Sequence, residues 1–556
     1  MKKVLLVATI IALAFSILPT SSVFALNETI EELSIAVDEP LYDLNIFNIT
    51  KHSSSVDNVF TMVYDRLFAF DNGNLIPDLA LSCVIQPSDD TGDCPFEGIE
   101  FGYIDWSERP EEWVEAGFIP GMIDVSQIHG DFEFLTGCGE LVLAITLRSG
   151  VYFSDESELT AQDIHNLISA AKQQPQNTLI YKQWESVAYT HVIDEHTIEF
   201  HMNLPANYGY MDFMYSLATP IASIVKLEND EVVGTGAYKI TDNAEEYATL
   251  ALRNDWWKGS LDTSVNVVNF LYYNTSNCLQ GLQSGEVALS ITNGSIDSVS
   301  GSISNGTLKI EKQLAGNPIA VLMNHDDEIL SSQAVRRALF WEWDINRIAR
   351  SSVYGLVDFS HDFWTYDGHF YPGTKTSESA YVSEAGELMN GNEIDVSNKI
   401  ELSFIAPSSS FSDEFVNAVV TSLTGNEGHF TIGHQLLSDE EYDSRINEGN
   451  YQLVLKEIEL TEINSAYKYL YGKSTPIMDN LLRAARIAAK IETYQDMHVY
   501  IQMERVKNND LFIVGWKQKS LISDGQIENF KITEKYNPIS MVSYIDLRGI
   551  DFVTNP

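Results

Sequence analysis

Basic residues are scarce in this chain. Lys and Arg together number 34 against 79 Asp and Glu, which gives a formal net charge of −45 at pH 7. Because nucleic acids and anionic lipids are bound by clustered Lys and Arg, neither is expected as a partner. The acidic surface is expected to keep the protein soluble and monomeric. Adaptation to salt and selection of cationic ligands are two further interpretations of this charge.

Cysteine is scarce as well, with only Cys83, Cys94, Cys138 and Cys278. Their spacing contains no Cys-x2-Cys pair, which argues against a zinc site. Outside the cytoplasm disulfides are permitted, and four cysteines allow three pairings. A short loop rich in Pro, Asp and Gly separates Cys83 from Cys94, so this pair is the first prediction. The other two cysteines would then form a long-range bridge or remain free thiols.

Apolar runs of membrane-spanning length are missing too. The N-terminal run, residues 4–18, follows Lys2 and Lys3 and precedes the small residue Ala25. This pattern is typical of a secretory signal, so we predict a signal peptide at residues 1–25. An uncleaved anchor is the alternative, but the run is short for a span, which needs about 20 residues. No cysteine follows Ala25 to carry a lipid, and the mature protein is predicted to be secreted, periplasmic or cell-surface associated.

Familiar catalytic motifs are also absent from the sequence. It contains no Gly-x-Ser-x-Gly elbow and no His-Glu-x-x-His run. Acidic pairs are so frequent in this composition that none can be nominated as a glycosidase dyad. His361 and His369 have Asp362 and Asp367 beside them, but their spacing matches no standard metal site. No catalytic residue, metal or cofactor is therefore expected.

Apolar residues are plentiful, and their spacing alternates between the periods of strands and helices. Residues 35–48 begin as a strand, residues 53–68 have helical spacing with Ser53 as the cap, and Thr160 with Asp163 makes a partial capping box. Further strands are predicted at residues 141–147, 197–202, 285–289, 319–323, 399–405 and 451–455, and further helices from residue 279 and at residues 331–351 and 412–423. Such alternation predicts an α/β protein with mixed sheets.

Four stretches occur in a fixed order: YDRLFAFD at residues 64–71, LRSGVYF at 147–153, GTGAY at 234–238 and VRRAL at 335–339. Shorter matches accompany them, namely LIPDLA at residues 75–80, LRNDWW at 252–257 and LQSGEV at 282–287. In order and spacing the chain resembles the extracellular solute-binding proteins of family 5, the peptide- and nickel-type receptors of ABC importers. The resemblance covers nearly the whole mature chain. Its motifs are mainly structural: Gly234 and Gly236 are expected to permit backbone angles barred to other residues, and Arg148 to pair within the fold.

The resemblance implies a bilobed fold of the type II periplasmic-binding-protein class, with mixed sheets, a hinge and an extra subdomain. Lobe I would comprise residues 26–60 and 190–310 with a return at 511–556, the extra subdomain II residues 61–189, and lobe III residues 311–510. Family members lack a segment corresponding to residues 83–140, which is rich in Asp, Glu, Gly and Pro. This insertion is interpreted as a surface excursion without a ligand role, with a stapled subdomain as the alternative.

The resemblance also directs attention to possible ligand-binding residues in the C-terminal lobe. Trp364 and Tyr366 are candidates for stacking on a ligand, and a packed loop is the other interpretation. Peptide-binding members often carry a tryptophan, an aspartate that holds the ligand's amino terminus, and Asp-Pro. In the corresponding stretch here Glu457, Glu459 and Glu462 are candidates for the anion, but the tryptophan and Asp-Pro are missing.

The predicted function is that of a receptor that traps a small polar ligand, with a peptide as the first choice, and passes it to an ABC permease without chemistry. An oligosaccharide or a nickel complex is the alternative ligand within this class. An exported hydrolase and a sensor or adhesin that does not serve transport are the alternatives outside it.

Overall fold

The protein is described by a computed structural model. The structure describes residues 32–41, 43–51, 53–71, 74–87, 102–104, 132–134, 141–202, 210–228, 231–261, 263–274, 277–292, 299–344, 357–358, 382–424, 428–458, 485, 488, 493–494, 497, 511–525, 527–528, 531–532, 545–546 and 551–552. The predicted signal peptide and most of the predicted insertion therefore lie outside the described residues.

In chain order the strands are β1 (Glu32–Val37), β2 (Phe68–Asp71), β3 (Asn74–Pro77), β4 (Ala80–Pro87), β5 (Gly102–Ile104), β6 (Phe132–Phe134), β7 (Leu141–Leu147), β8 (Val187–Val192), β9 (Thr197–Met202), β10 (Val225–Glu228), β11 (Glu231–Gly234), β12 (Tyr238–Ala244), β13 (Tyr247–Leu252), β14 (Val267–Tyr272), β15 (Leu289–Thr292), β16 (Lys309–Met323), β17 (Val357–Asp358), β18 (Ile400–Pro407), β19 (Phe430–Leu437), β20 (Leu453–Glu457), β21 (Leu511–Ser523), β22 (Ile527–Glu528), β23 (Lys531–Ile532), β24 (Ile545–Asp546) and β25 (Asp551–Phe552). The helices are α1 (Ser54–Val63), α2 (Ala161–Ala171), α3 (Leu179–Trp184), α4 (Tyr210–Ser216), α5 (Cys278–Ser284), α6 (Ser300–Ser304), α7 (Gln333–Glu342), α8 (Val382–Gly391), α9 (Asp413–Thr424) and α10 (Asp439–Asn447), with a short 3-10 helix at Pro220–Ala222.

The largest sheet has 11 strands, in the order β12-β13-β14-β1-β15-β21-β16-β20-β18-β19, with β17 paired to β21. Strand β1 lies between two parallel neighbours, β14 and β15. The remaining pairs in this sheet include both parallel and antiparallel ones, for example β18 with β19 and β16 with β21. The predicted mixed α/β class is confirmed.

The two largest hydrophobic cores among the described residues both pack on this sheet. The first contains Ile35 and Val268, and the second contains Val321 and Phe404. Strands β16 and β21, with 15 and 13 residues, form a long antiparallel pair. Their register shifts between Leu314 and Pro318, where the ladder is interrupted because proline has no N–H to donate. The long pair contributes to both cores, since Ala320 and Ile513 belong to the first and Val321 and Phe512 to the second.

A separate four-stranded antiparallel sheet has the order β4-β7-β9-β8. Along β9 the even-numbered residues Ile198, Phe200 and Met202 are buried, while the odd-numbered ones face outward. The ring of Trp184 packs edge-on against Phe200 with the ring centres 6.0 Å apart. The bounds of β7 and β9 agree with the strands that alternation predicted.

The predicted insertion is the connection of a hairpin in this sheet. Strands β4 and β7 pair from Ala80 opposite Leu147 to Pro87 opposite Leu141. Within the connection the structure describes only β5 and β6, which pair with each other as a two-stranded sheet. A long segment can join this hairpin because its ends, Pro87 and Leu141, are already adjacent.

Several predicted element boundaries are wrong. The first strand ends at Val37, because Glu39-Pro40 follow it and proline cannot continue the ladder. Helix α1 begins at its predicted cap Ser53 but ends at Val63, where Tyr64 is extended with φ −129° and ψ 140°. Residues 285–288 precede strand β15 instead of belonging to it, since Gly285 ends helix α5 with a left-handed φ of 75°.

The C-terminal elements are shorter than predicted or shifted by one or two residues. Helix α7 covers Gln333–Glu342, against a predicted 331–351, and residues 345–351 lie outside the described part of the chain. Strands β18 and β20 and helix α9 each begin within two residues of the predicted start.

The predicted disulfide between Cys83 and Cys94 is not formed. Cys83 is a free thiol on β4, and Cys278 is a free, buried thiol at the start of α5. The Cys278 sulfur lies 3.1 Å from the hydroxyl of Ser290. Cys94 and Cys138 lie outside the described residues. A loop of suitable length and composition was therefore not sufficient evidence for a bridge.

Candidate functional site

The carboxyl end of strand β1 brings together charged side chains from three parts of the chain. Glu39 follows β1, and one of its carboxylate oxygens accepts hydrogen bonds from the backbone N–H of Ser54 at 2.7 Å and from the hydroxyls of Ser54 and Ser53 at 3.0 and 3.1 Å. Its other oxygen lies 3.6 Å from the ammonium group of Lys519 on β21. An acidic group at a helix N-terminus is stabilised by the unpaired N–H groups there.

This environment shifts the pKa of Glu39. Burial by itself would raise the pKa, but the charge of Lys519 and the hydrogen bonds from Ser54 and Ser53 outweigh it and lower the pKa from 4.5 to about 2. Glu39 is therefore ionised throughout the physiological range. Lys519 is 7% exposed, and its ammonium group has no hydrogen-bond partner within the described residues, so this buried cation keeps donor capacity.

A second carboxylate lies at the same edge of the sheet. Asp38 directly follows β1, and its carboxylate accepts a hydrogen bond of 2.9 Å from the hydroxyl of Thr292, the last residue of β15. In open α/β sheets ligands bind outside the carboxyl ends of the strands, where the strand order reverses, and β1 between β14 and β15 is such a point. We refer to Asp38, Glu39, Thr292 and Lys519 as the strand-end cluster.

The family-like motifs meet elsewhere, around the buried carboxylate of Asp65. It accepts hydrogen bonds from the indole N–H groups of Trp256 at 3.2 Å and Trp257 at 2.7 Å, and the ammonium group of Lys258 lies 3.5 Å away. Asp65 belongs to the YDRLFAFD stretch and both tryptophans to the LRNDWW match. A fully buried, paired carboxylate of this kind holds chain segments together and has no room for a ligand.

Arg253 ties the same motifs together through backbone carbonyls. Its guanidinium donates to the carbonyls of Gly234 and Gly236 at 3.2 Å and to those of Tyr152 and Phe153 at 3.1 and 3.0 Å. Arg148 donates to the carbonyl of Asp78 at 2.5 Å, so its predicted pairing within the fold is confirmed.

The predicted reason for the two motif glycines is wrong. Neither Gly234 nor Gly236 has a positive φ. A Cβ at Gly234 would lie 2.2 Å from the ring of Tyr64, and one at Gly236 would lie 2.4 Å from the backbone carbonyl carbon of Val63. Close packing of the end of β11 and the following bend on the end of α1 requires glycine at both positions, and backbone angles do not.

One of the five predicted ligand residues lies in the described part of the chain. Glu457 is the half-buried last residue of β20, opposite Ile319 on β16. Lys519 is opposite Gln313, six residues earlier on β16, so about 20 Å of strand separates the two positions. Glu457 and the strand-end cluster thus lie on either side of the register shift between Leu314 and Pro318. Trp364, Tyr366, Glu459 and Glu462 lie outside the described residues, and their roles stay predictions.

The strand-end cluster was missed by the sequence reasoning. Its one sequence signal is the Asp-Glu-Pro run directly after the first strand, because polar residues that follow a buried strand lie at its carboxyl edge. Lys519 gives no such signal. It lies on β21, which is far from β15 in the sequence and pairs with it only in the folded protein.

A second contact brings a late segment of the chain to the first core. The hydroxyl of Tyr494 donates to the buried carboxylate of Asp212 on α4, and its ring packs 5.8 Å from the ring of Tyr215. Ala485, Ala488 and Met497 belong to the same core cluster. The sequence-based boundaries assign these residues to the predicted lobe III, although they pack in the first core.

A polar cavity of about 650 Å³ lies at the other end of β16. It is lined by Asn324, Asp327, Arg445 and Gln452 among others. Asn324 is separated from Gln313, the partner of Lys519, by about 35 Å of strand. This cavity is therefore an outer groove of the C-terminal half and is separate from the strand-end cluster.

Among the described residues, the helices are too short or too polar to cross a membrane.

The sequence model of the bacterial extracellular solute-binding proteins, family 5 Middle, matches residues 139–532. The chain belongs to this family. The family assignment made from the four ordered motifs is thereby confirmed. No curated protein sequence matches the chain.

Solved structures agree with this assignment at the level of the fold. The substrate-binding protein CtaP of Listeria monocytogenes is 17% identical with a TM-score of 0.67, covering 94% of this chain and 99% of that one. A nickel ABC transporter protein of Bacillus halodurans is 14% identical with a TM-score of 0.66, covering 90% and 96%. The dipeptide-binding protein of Pseudoalteromonas sp. SM9913, in complex with Met-Leu, is 14% identical with a TM-score of 0.62, covering 94% and 100%. This family 5 chain has the bilobed periplasmic-binding-protein fold.

Proposed function

We propose that this family 5 protein is the extracellular receptor of an ABC importer and that it binds a small polar ligand, with an oligopeptide as the leading class, between its two lobes. The observation that carries the proposal is the long β16–β21 pair, which contributes residues to both large hydrophobic cores and is interrupted between Leu314 and Pro318. Polar, charged groups lie on either side of that interruption. Family membership supports the transport role.

The mechanism is hinge closure. The interruption leaves part of β16 between Leu314 and Pro318 without ladder pairs, and the proposed bending occurs there. A ligand that contacts both halves stabilises the closed form and shifts the population toward it. A shift from 1:99 to 99:1 requires about 5.5 kcal/mol of differential binding, which several buried contacts can supply. The permease then recognises the closed form, and no covalent step occurs.

The charges of the cleft favour a ligand that carries both signs. Glu457 on one side, with Glu459 and Glu462 following it, would bind an amino terminus, while Lys519 on the other would bind a carboxylate or carbonyl oxygen. Trp364 and Tyr366 would stack on the side chains between these ends. A peptide supplies all three features. The bound Met-Leu of the Pseudoalteromonas neighbour supports this class, and the nickel protein of Bacillus halodurans supports a metal complex as the competing ligand.

The proposed organisation retains the sequence-based boundaries: lobe I at 26–60, 190–310 and 511–556, subdomain II at 61–189, and lobe III at 311–510. The proposed location is outside the cytoplasmic membrane, after removal of residues 1–25. The partners are the permease and the ligand, and the protein acts as a monomer.

The test is a thermal-shift screen of the mature chain with dipeptides to pentapeptides, oligosaccharides and nickel–histidine complexes. A ligand at 100 times its Kd stabilises the folded state by about 2.7 kcal/mol, which is easily detected as a rise in Tm. Peptide hits are expected, and Glu457→Gln should weaken them, whereas the control Glu448→Gln, in the outer groove, should not. Shifts with sugars or nickel complexes alone would overturn the peptide assignment. Turnover of a labelled oligomer would overturn the receptor function.

A further inference from the structure

The hairpin of β8 and β9 carries two histidines and a glutamate on one face. His191 on β8 is directly opposite Glu199 on β9, and Tyr189 is opposite His201. Because side chains alternate along a strand, positions 189 and 191 share a face with positions 199 and 201. The other face of β9 carries Ile198, Phe200 and Met202 into the core. The two imidazoles and the carboxylate therefore lie together on the outer face of the sheet.

The ligand atoms of these three side chains are already close. The carboxylate of Glu199 has one oxygen 3.3 Å from Nδ1 of His191 and 3.6 Å from Nε2 of His201. All three atoms lie within 4.8 Å of one another. With metal–ligand bonds of about 2.0–2.1 Å, tetrahedral geometry places neighbouring ligand atoms about 3.3–3.4 Å apart. The distances from Glu199 to His191 and to His201 are therefore already close to those of a tetrahedral site.

The distance between the two imidazole nitrogens can reach the tetrahedral value by movement of one side chain. The side chain of His191 is 64% exposed, whereas those of Glu199 and His201 are 18% and 15% exposed. Two ligands are thus held by the sheet and the third is free to turn toward them. The ring of Tyr189 stacks on His201 with centres 4.1 Å apart and planes at 15°, which fixes the orientation of that imidazole.

We propose that His191, Glu199 and His201 form a binding site for a divalent transition-metal ion, of which Zn²⁺, Ni²⁺ and Cu²⁺ are the ions that suit two imidazoles and one carboxylate. Ca²⁺ and Mg²⁺ are not expected, because they prefer oxygen ligands throughout. Three protein ligands leave a fourth position for water or an exogenous group. The site lies on subdomain II and does not depend on the ligand proposed for the cleft.

The surroundings favour a bound cation. The chain carries a net charge of −45, so the field of the protein attracts positive ions. A bound ion would take the place of a proton on each imidazole, since a ligating histidine must be neutral.

The experiment is a titration of the full mature chain with ZnCl₂ by calorimetry, after removal of any histidine tag, with Co²⁺ absorption to report a four-coordinate site. One saturable ion per chain is expected at the hairpin. His191→Ala, at an exposed position, should reduce the Zn²⁺ affinity about tenfold or more, and His201→Gln should do the same. His434→Ala is the matched control, because His434 on β19 is also paired with a carboxylate, Asp413, at 3.1 Å, but only with that one group.

Two results would overturn the proposal. One is a wild-type chain without saturable Zn²⁺ binding, and the other is an affinity that survives both hairpin variants. Circular dichroism melts of each variant establish that a loss of affinity does not reflect unfolding. Ligand binding in the cleft is measured in parallel: peptide shifts that persist in His191→Ala separate this site from the proposed transport function.

Discussion

The ammonium group of Lys519 lies 3.6 Å from the carboxylate of Glu39, and the two residues come from opposite ends of the chain. Lys519 is on β21, which contributes residues to both cores. The carboxylate of Glu39 accepts hydrogen bonds at the N-terminus of helix α1. The pair therefore connects β21 to the carboxyl end of β1 within the same sheet. Three of the predictions that follow depend on burial and pairing that this structure alone reveals, and one depends on a close backbone approach.

Replacing Lys519 with methionine should destabilise the protein. The substitution keeps most of the apolar stem but leaves the carboxylate of Glu39 without its counter-charge in a partly buried position. The expected cost is about 1–3 kcal/mol in the free energy of unfolding, measured by urea denaturation at pH 7. Arg445→Gln is the control, since the Arg445–Glu441 pair is exposed and contributes less than about 0.5 kcal/mol. Equal midpoints for Lys519→Met and wild type would contradict the prediction.

The stability contribution of Glu39 should disappear in acid. Its pKa is lowered to about 2 in the folded state from 4.5, so the stabilisation is fully present above pH 4.5 and is lost as the pH falls from 4.5 toward 2. At neutral pH the shift corresponds to at most about 3 kcal/mol, reduced by the partial exposure of the side chain. The difference in unfolding free energy between wild type and Glu39→Gln should therefore shrink between pH 5 and pH 3. A difference that stays constant over this interval would contradict the assignment.

Alanine at position 236 should be poorly tolerated. The added Cβ would lie 2.4 Å from the backbone of Val63, and a backbone contact cannot be relieved by rotating a side chain. We expect a loss of several kcal/mol or a failure to accumulate as folded protein, measured by denaturation and by soluble yield. Gly301→Ala is the matched control, because nothing lies within 4 Å of its Cβ position. Similar stability for Gly236→Ala and Gly301→Ala would contradict the prediction, because it would show that the backbone leaves room for a Cβ at position 236.

The thiols of Cys83 and Cys278 should be free but slow to react. Burial raises the pKa of each thiol to about 12, and the thiolate is the reactive form. In folded protein without reductant, iodoacetamide at about pH 8 should label both slowly, and unfolding in guanidinium should make labelling complete. Peptide mapping by mass spectrometry locates the labels. Recovery of a peptide with Cys83 joined to Cys94 would contradict the structure.

The fold class and the family could be predicted because they depend on local patterns. Strands such as β7 and β9 alternate visibly in the sequence, and Ser53 and Thr160 mark helix starts by their own hydrogen-bonding chemistry. The motif residues were also recognised correctly, but their roles were harder to predict. Gly236 is required by a backbone that approaches it from 173 positions earlier in the chain at Val63, and no local pattern contains that contact.

The candidate site was predicted less well, for the same reason. Glu457 was selected from a resemblance, whereas Glu39, Lys519 and the His191–Glu199–His201 group have no shared sequence spacing that identifies them. The disulfide prediction was wrong because a short loop between two cysteines does not by itself give the sulfur geometry that a bridge requires.

By itself the sequence determined the alternation of strands and helices, the acidic charge and the family, because each depends on residue type and short-range periodicity. The tertiary structure alone decided which charges meet. Pairing Lys519 with Glu39 requires β21 to lie beside β15 in the sheet. Electrostatic and metal-binding geometry depends on distances of a few ångströms between side chains, and those distances are set by strand pairing between segments far apart in the chain.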